Sequence, residues 1–185
     1  MATQNDITLL CVQKIQKPRI EDVIPAYLNG DMKKTALAFA TWMHENKMPL
    51  KWAGLHNAWK AMCKGKAICY VRLYNDGWSN SEHLKNMYGK HLWVITPYLS
   101  NLNSYAETVI NENMQNFIWD NVHHCMFCRT PCHGNPPGKD VIVLGKDIKS
   151  ICIGRQLVWA FDPDEAAMNT LKRLLILEQQ ALQSP

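Results

Sequence analysis

Lys66-Ala67-Ile68-Cys69-Tyr70-Val71-Arg72-Leu73-Tyr74 is the stretch whose reading decides the fold. Side chains of an extended strand alternate between its two faces. Ala67, Cys69, Val71 and Leu73 therefore share one face, which is uniformly apolar, and Ile68, Tyr70, Arg72 and Tyr74 share the other, which carries rings and a guanidinium. This period of two marks a strand. Asn75-Asp76-Gly77 then turns the chain. A single helical excursion follows over Ser79 to Gly89, with Ser81 as its cap, before a second strand over His91 to Tyr98 that pairs antiparallel with the first.

Helical periods flank these strands. Upstream, Asp31 caps a helix over about 32–47 whose buried face is Ala36, Leu37, Phe39, Ala40 and Met43, and Pro49 stops it. Downstream, Leu102, Tyr105, Ala106, Val109, Ile110, Phe117 and Ile118 recur near a 3.6 period, predicting one helix over 102–122. Gly134-Asn135-Pro136-Pro137-Gly138 is irregular, and Val141 to Leu144 reads as a third strand. In Asp162-Pro163-Asp164-Glu165, Asp162 is the expected cap, Pro163 the first helical residue and Glu165 the third, opening a final helix near 164–182. Residues 1–30 read as an N-terminal arm, with a strand-like run from Ile7 to Val12 and a short helix around Glu21 to Leu28. Residues 31–185 form the domain proper. The class is α+β: a mainly antiparallel sheet of three to five strands flanked by helices.

With 185 residues, 47% of them hydrophobic and 19% charged, the chain can bury one substantial core. No apolar run approaches the roughly 18 residues of a membrane span, and the polar start lacks the features of a secretory signal. A cytoplasmic location is the expectation, with no membrane association. Seven cysteines are an odd number, so they cannot all pair within the chain, and reduced thiols are expected. Cys11, Cys63, Cys69 and Cys152 stand alone among apolar neighbours, where a thiol behaves as a small hydrophobe. The formal charge of +4 leaves a nucleic-acid partner open without favouring one. The sequence contains no G-x-S-x-G, H-E-x-x-H or P-loop.

Two constellations carry chemistry. The first is His123-His124-Cys125-Met126-Phe127-Cys128-Arg129-Thr130-Pro131-Cys132-His133. Thiolate and imidazole suit zinc, and a C-x2-C step lets two sulfurs reach one ion around a turn. Cys125, Cys128 and Cys132 with His123 are the expected ligand set; His124, His133 and Cys152 are alternatives for the fourth position. Metal-free thiols on a Pro/Gly-rich loop, an iron–sulfur site and a thiol redox protein or enzyme using Cys125 and Cys128 are the competing readings. The pair follows a helix, so no helix N-terminus is at hand to acidify its thiols.

The second constellation interleaves rings and cations: Trp52, Trp59, Lys60, Lys64, Lys66, Tyr70, Arg72, Tyr74 and Trp78. On a sheet face such residues can stack on and neutralise a ligand; the alternative is that the tryptophans are core and the lysines solvated. Tyr70, Arg72, Tyr74 and Trp78 are the candidate ligand-binding residues, for an unknown small molecule or protein partner.

Leu50-Lys51-Trp52, the run Lys64-Gly65-Lys66-Ala67-Ile68-Cys69-Tyr70, and the capped helix after Phe161-Asp162-Pro163 resemble the YdhG-like family of small α+β domains. The resemblance covers the central sheet and the last helix, about half the chain. It implies a curved antiparallel sheet flanked by helices and no particular activity. The chain departs from the family's pattern at Ala53-Gly54-Leu55-His56 and in carrying the Cys/His run. Together these readings describe a binding or interaction domain of unknown ligand, stabilised by a zinc site.

Overall fold

The structure, a computed structural model, describes residues 11–74, 91–125, 138–152 and 156–184. Its centre is a five-stranded antiparallel sheet made of β1 (Lys51–Trp52), β2 (Ala58–Cys63), β3 (Lys66–Leu73), β4 (Trp93–Pro97) and β7 (Ala160–Phe161), paired in the order β1-β2-β3-β4-β7. A separate hairpin joins β5 (Lys139–Val143) to β6 (Lys146–Ile151). The α+β class and the antiparallel sheet are as the sequence predicts.

The strand β2 lies outside the strands predicted from the sequence, although its signals are present. Trp59, Ala61 and Cys63 are buried while Lys60 and Met62 are exposed, a clean alternation. Lys64 and Gly65 then close a two-residue hairpin with φ of 44° and 79°. Two successive positive φ values match the right-handed twist of the flanking strands, and glycine adopts the second without strain. Leu144 and Gly145, at 49° and 80°, repeat the device between β5 and β6.

The alternation read in β3 holds from Cys69 onward, but Ala67, half-buried and opposite exposed Met62, and Ile68 depart from it. Ala61 pairs with Cys69 and Met62 with Ala67, so Ile68 is the extra residue of a β-bulge. The slip turns Ile68 inward: it is fully buried in the main core beside Cys69, rather than on the face of Tyr70.

Helices cover the apolar side of the sheet. These are α2 (Ile20–Tyr27), α3 (Gly30–Glu45) and α6 (Glu165–Gln183), which bury Ile20, Ile24, Phe39, Met43, Leu171 and Leu175 against Trp59, Val71, Leu73 and Trp93. Each such aliphatic or aromatic side chain contributes about 1.5–3 kcal/mol when fully buried. The short helix expected at Glu21 to Leu28 is thus α2, and it belongs to the core. The strand-like reading of Ile7 to Val12 fails where it can be compared, because residues 11–16 form a helix, α1. Gln13 of α1 pairs its amide with Asn57: Nε2 donates to Oδ1 at 2.6 Å, and Oε1 accepts from the Asn57 backbone at 2.9 Å. Trp59 Nε1 donates to the Pro18 carbonyl at 2.9 Å, which fastens the same segment to β2.

The helix expected over 102–122 is broken in two. A 3-10 turn (Leu102–Tyr105) leads into α4 (Ala106–Asn111), and α5 (Gln115–Asp120) follows. Asn113 takes φ of 55°, Asn113 N bonds to Ile110 O, and Met114 N bonds to Val109 O at 2.9 Å. This is a Schellman end with asparagine in the left-handed position and a hydrophobic contact across it. The break lets Val109, Met114 and Ile118 pack with Val143, Ile148 and Ile151 in a second core. Helix α6 spans both cores, with Leu171 and Leu175 in one and Leu174 and Leu177 in the other.

Asp164, not Asp162, caps α6: its Oδ1 accepts from Ala167 N at 2.8 Å. Asp162 instead turns back to β4 at φ of 41°. Its Oδ1 accepts from Leu92 N (2.9 Å) and Trp93 N (3.0 Å), while Oδ2 meets His91 Nδ1 at 2.8 Å. Both carboxylates fit the cap motif, and only the tertiary contact to β4 separates them, so the cap lies two residues beyond its predicted place.

Glu178 is a buried carboxylate on α6, 1% exposed. It accepts from Asn101 Nδ2 at 2.8 Å and from the Tyr105 hydroxyl at 2.6 Å. Burial, reinforced by the bond to Glu178 and by its charge, pushes the Tyr105 hydroxyl pKa far above the usual tyrosine range. The folded protein then holds a proton that the unfolded chain releases near pH 10. Tyr105 therefore stabilises the fold fully below about pH 10 and progressively less above it. Tyr105→Phe should cost about 1–3 kcal/mol in chemical denaturation at neutral pH, by removing one hydrogen bond from a buried carboxylate that keeps only its bonds to Asn101. Its stability should also fall less steeply than the wild type's between about pH 10 and pH 12; parallel alkaline profiles would contradict this assignment.

Candidate functional site

The outward face of the sheet follows from its register. Lys51, Lys60, Tyr70 and Thr96 lie side by side in one row across β1 to β4, and Ala58, Arg72, Val94 and Phe161 form the next row. Over β3 and β4 this face opens into a cavity of about 220 Å³. Tyr70, Arg72 and Tyr74 line it from β3 and its end; Val94 and Thr96 line it from β4, and Tyr98 from just beyond β4. Leu55, Gln156 and Trp159 complete the rim. Three of the four residues expected to bind ligand are thus brought together, and Trp78 lies outside the described residues.

The three do not share one environment. Tyr70 and Arg72 are half-buried, whereas Tyr74 is 5% exposed and packs in a small cluster with Val94 and Trp159. Arg72 Nη2 approaches the Tyr70 hydroxyl at 3.4 Å, and its Cζ lies 5.8 Å from the Tyr70 ring centre. Thr96 Oγ1 donates to the Tyr70 carbonyl at 3.2 Å. Burial, with smaller contributions from Tyr70 and Cys69, raises the Tyr98 pKa against the lowering effect of its hydrogen bond with Gln156. Tyr98 is consequently a protonated hydroxyl that can donate or accept. Among the described lining residues Arg72 carries the only formal charge.

Tyr98, Thr96, Gln156 and Trp159 were not singled out from the sequence. Tyr98 and Thr96 had a usable signal, since they alternate with Ile95 and Pro97 on a strand already recognised. Gln156 and Trp159 had none, because they reach the site through a tertiary ladder. Segment 121–125 lies between two neighbours in that ladder. On one side Trp159 N donates to Asn121 O and His123 N donates to Leu157 O, both at 2.8 Å; on the other, Cys152 N donates to His123 O at 3.1 Å and Cys125 N to Ser150 O at 2.6 Å.

The same ladder locates the start of the Cys/His run. His123 stacks its ring on Trp159, with centroids 4.1 Å apart and planes 15° apart. His124 Nδ1 lies 2.9 Å from the Lys149 carbonyl. Cys125 leaves the segment beside Ser150, and Gly138 closes against it: at φ of 81°, an added Cβ on Gly138 would fall 2.6 Å from the Ser150 carbonyl carbon and 2.9 Å from Cys125 Cβ. Cys128 and Cys132 lie outside the described residues. Among the described residues, no group of three His, Cys, Asp or Glu side chains is placed to hold a metal ion. No described helix is long and apolar enough to cross a membrane.

No protein-family model, curated protein or solved structure matches the chain. The likeness to the YdhG-like family rests on the quoted residues alone.

Of the isolated cysteines, Cys63, Cys69 and Cys152 are buried as expected, and Cys11 is exposed. Burial pushes the Cys69 thiol far above its usual range, so its reactive thiolate is suppressed. Thiol labelling of the native protein should modify Cys11 promptly and leave Cys69 untouched until denaturant is added, read out by peptide mass spectrometry. Labelling of Cys69 at native-state rates equal to Cys11 would refute its place in the core.

Proposed function

We propose that this protein is a small-ligand binding module whose site is the cavity over β3 and β4. The observation that carries the reading is a concave site on the solvent side of the sheet lined by Tyr70, Arg72, Thr96 and Tyr98 beside the rings of Tyr74 and Trp159. Few convergent polar groups within apolar and aromatic walls are the usual composition of a ligand site. At about 220 Å³ the space lies below the roughly 300–1,000 Å³ of drug-sized pockets, so the ligand is a single ring or a molecule of similar size. The site is supported from beneath by the buried face of the sheet, which limits reorganisation on binding. The setting proposed is the cytoplasm, where the thiols stay reduced.

A ligand-observed NMR screen of single-ring fragments should yield compounds that shift the backbone signals of Tyr70, Thr96 and Tyr98. Gln156→Phe, which fills the rim from a loop, should abolish those shifts while preserving the rest of the spectrum. Hits that survive Gln156→Phe, or that map to the helical side, would remove the cavity from consideration.

The zinc reading is proposed in a revised form. His123 is engaged with Trp159, whereas Cys152 is tied directly opposite it in the ladder and Cys125 lies two residues along the same segment. Cys152 therefore replaces His123 as the proposed partner of Cys125, Cys128 and Cys132, a four-thiolate set of the kind that structural zinc takes. Bound there, zinc would tie the end of segment 121–125 to the end of β6. Elemental analysis of reduced protein should find about one zinc per chain, and chelation should lower the melting temperature because metal-binding energy is folding energy at such sites. Cys152→Ser should reduce the metal content and His123→Ala should not. Metal-free protein whose melting is insensitive to chelator would end the proposal.

A further inference from the structure

We propose that α1 is a latch on the β3–β4 cavity: Gln13 holds the loop that carries Leu55 at the rim, and swinging α1 away on Lys17 loosens the site. This rests on the cavity being the binding site. The catch is the buried amide pair. Of the described residues of α1, Gln13 alone is buried, while Val12 is 41% and Ile15 83% exposed. A helix that turns an amide inward and its aliphatic side chains outward is held by hydrogen bonds more than by the apolar area it removes from water. Those bonds are the two to Asn57, with Nε2 donating to Oδ1 at 2.6 Å and Oε1 accepting from Asn57 N at 2.9 Å. Asn57 is itself fully buried. Losing the pair would leave its groups desolvated without a return, so the catch is strong for its size.

Asn57 is where the latch meets the site. It ends the loop of residues 53–57 between β1 and β2, at φ of 49°, a left-handed conformation that asparagine tolerates. Leu55, two residues back, stands on the cavity rim, and its carbonyl accepts from Ala58 N at 3.3 Å. The Asn57 carbonyl accepts from Leu73 N at 3.0 Å, and Leu73 is followed by Tyr74 in the cavity wall. One residue therefore meets α1 through its side chain and amide and reaches two lining residues through the backbone. The hinge is Lys17, at φ of 45° between α1 and Pro18. A lysine in that region carries a backbone cost and keeps the conformation only while its surroundings hold it. Beyond the hinge, the Trp59 bond to the Pro18 carbonyl and the burial of Ile20 and Ile24 keep α2 seated whether or not α1 is docked. The two states are α1 latched and α1 released, and a ligand that needs Leu55 in place favours the first.

Gln13→Ala removes the catch, and Lys17→Pro, whose ring forbids a positive φ, releases the hinge while leaving Gln13 and Asn57 intact. In both variants amide hydrogen exchange at Asn57 and Leu73 should quicken by about 10-fold or more, the equivalent of one buried hydrogen bond, while Val71 and Ile95 inside the sheet stay far slower than either. Phenol serves as the cavity probe. Titrated against the NMR signals of Tyr70 and Thr96, it should bind each variant about 3- to 10-fold more weakly than the wild type, because the released loop must be ordered again on binding. Linkage requires the converse: saturating phenol should slow Asn57 exchange in the wild type by the same factor. This arm needs no variant to fold, and a merely structural Gln13 would not produce it. Phenol that binds the wild type without slowing Asn57 exchange overturns the latch and leaves the cavity reading standing, as does phenol affinity unchanged in variants whose loop amides have opened. Phenol that moves no cavity signal in the wild type overturns the cavity reading and the latch together.

Discussion

Trp52, Trp59, Val71, Ile95 and Ala160 stand shoulder to shoulder in one register row across all five strands, facing the helices. Removing this row and its neighbours from water is what α2, α3 and α6 accomplish, and the remaining architecture is arranged around it. The dry face fixes the register, since a slip of one residue would send every one of these side chains into solvent. At Ile68 a bulge absorbs the one irregularity and delivers an additional apolar side chain to the core. The N-terminal segment joins the same layer through Ile20 and Ile24, and the Gln13–Asn57 and Trp59–Pro18 bonds satisfy polar groups that this docking would otherwise strand.

The candidate site is the reverse of that row. With the inner face committed to the core, alternation leaves Lys60, Tyr70, Arg72 and Thr96 with no choice but the outer face, on a backbone held rigid from below. A concave site so supported loses little conformational freedom when it binds. The five strands carry Lys51, Lys60, Lys66 and Arg72 and contain no Asp or Glu.

The second core and the Cys/His run are tied to this site by segment 121–125. It is bonded on one side to the ladder carrying Trp159 and on the other to the end of β6, with His123 stacked on the tryptophan that walls the cavity. A group holding Cys125 and Cys152 together would therefore brace the cavity wall as well as the hairpin. Asp162 does comparable work at the other end, joining β4 and β7 through three hydrogen-bonding partners before Asp164 opens α6.

Local periodicity determined the α+β class, the β3 and β4 strands, the helix of residues 30–45 and the final helix, because each is long enough for its period to be read without neighbours. It also placed Tyr70, Arg72 and Tyr74 on one strand face, and the cavity contains all three. The short strands β1 and β7, two residues each, exist only through pairing and have no period of their own. The left-handed Asn113 divides a helix whose apolar spacing continues across the break, so spacing alone could not reveal it. Asp162 and Asp164 are interchangeable as caps until β4 presents two amides to one of them. Gln156, Trp159 and the opposition of His123 to Cys152 arise from ladders between segments distant in sequence, where pairing energy rather than local propensity decides the neighbour.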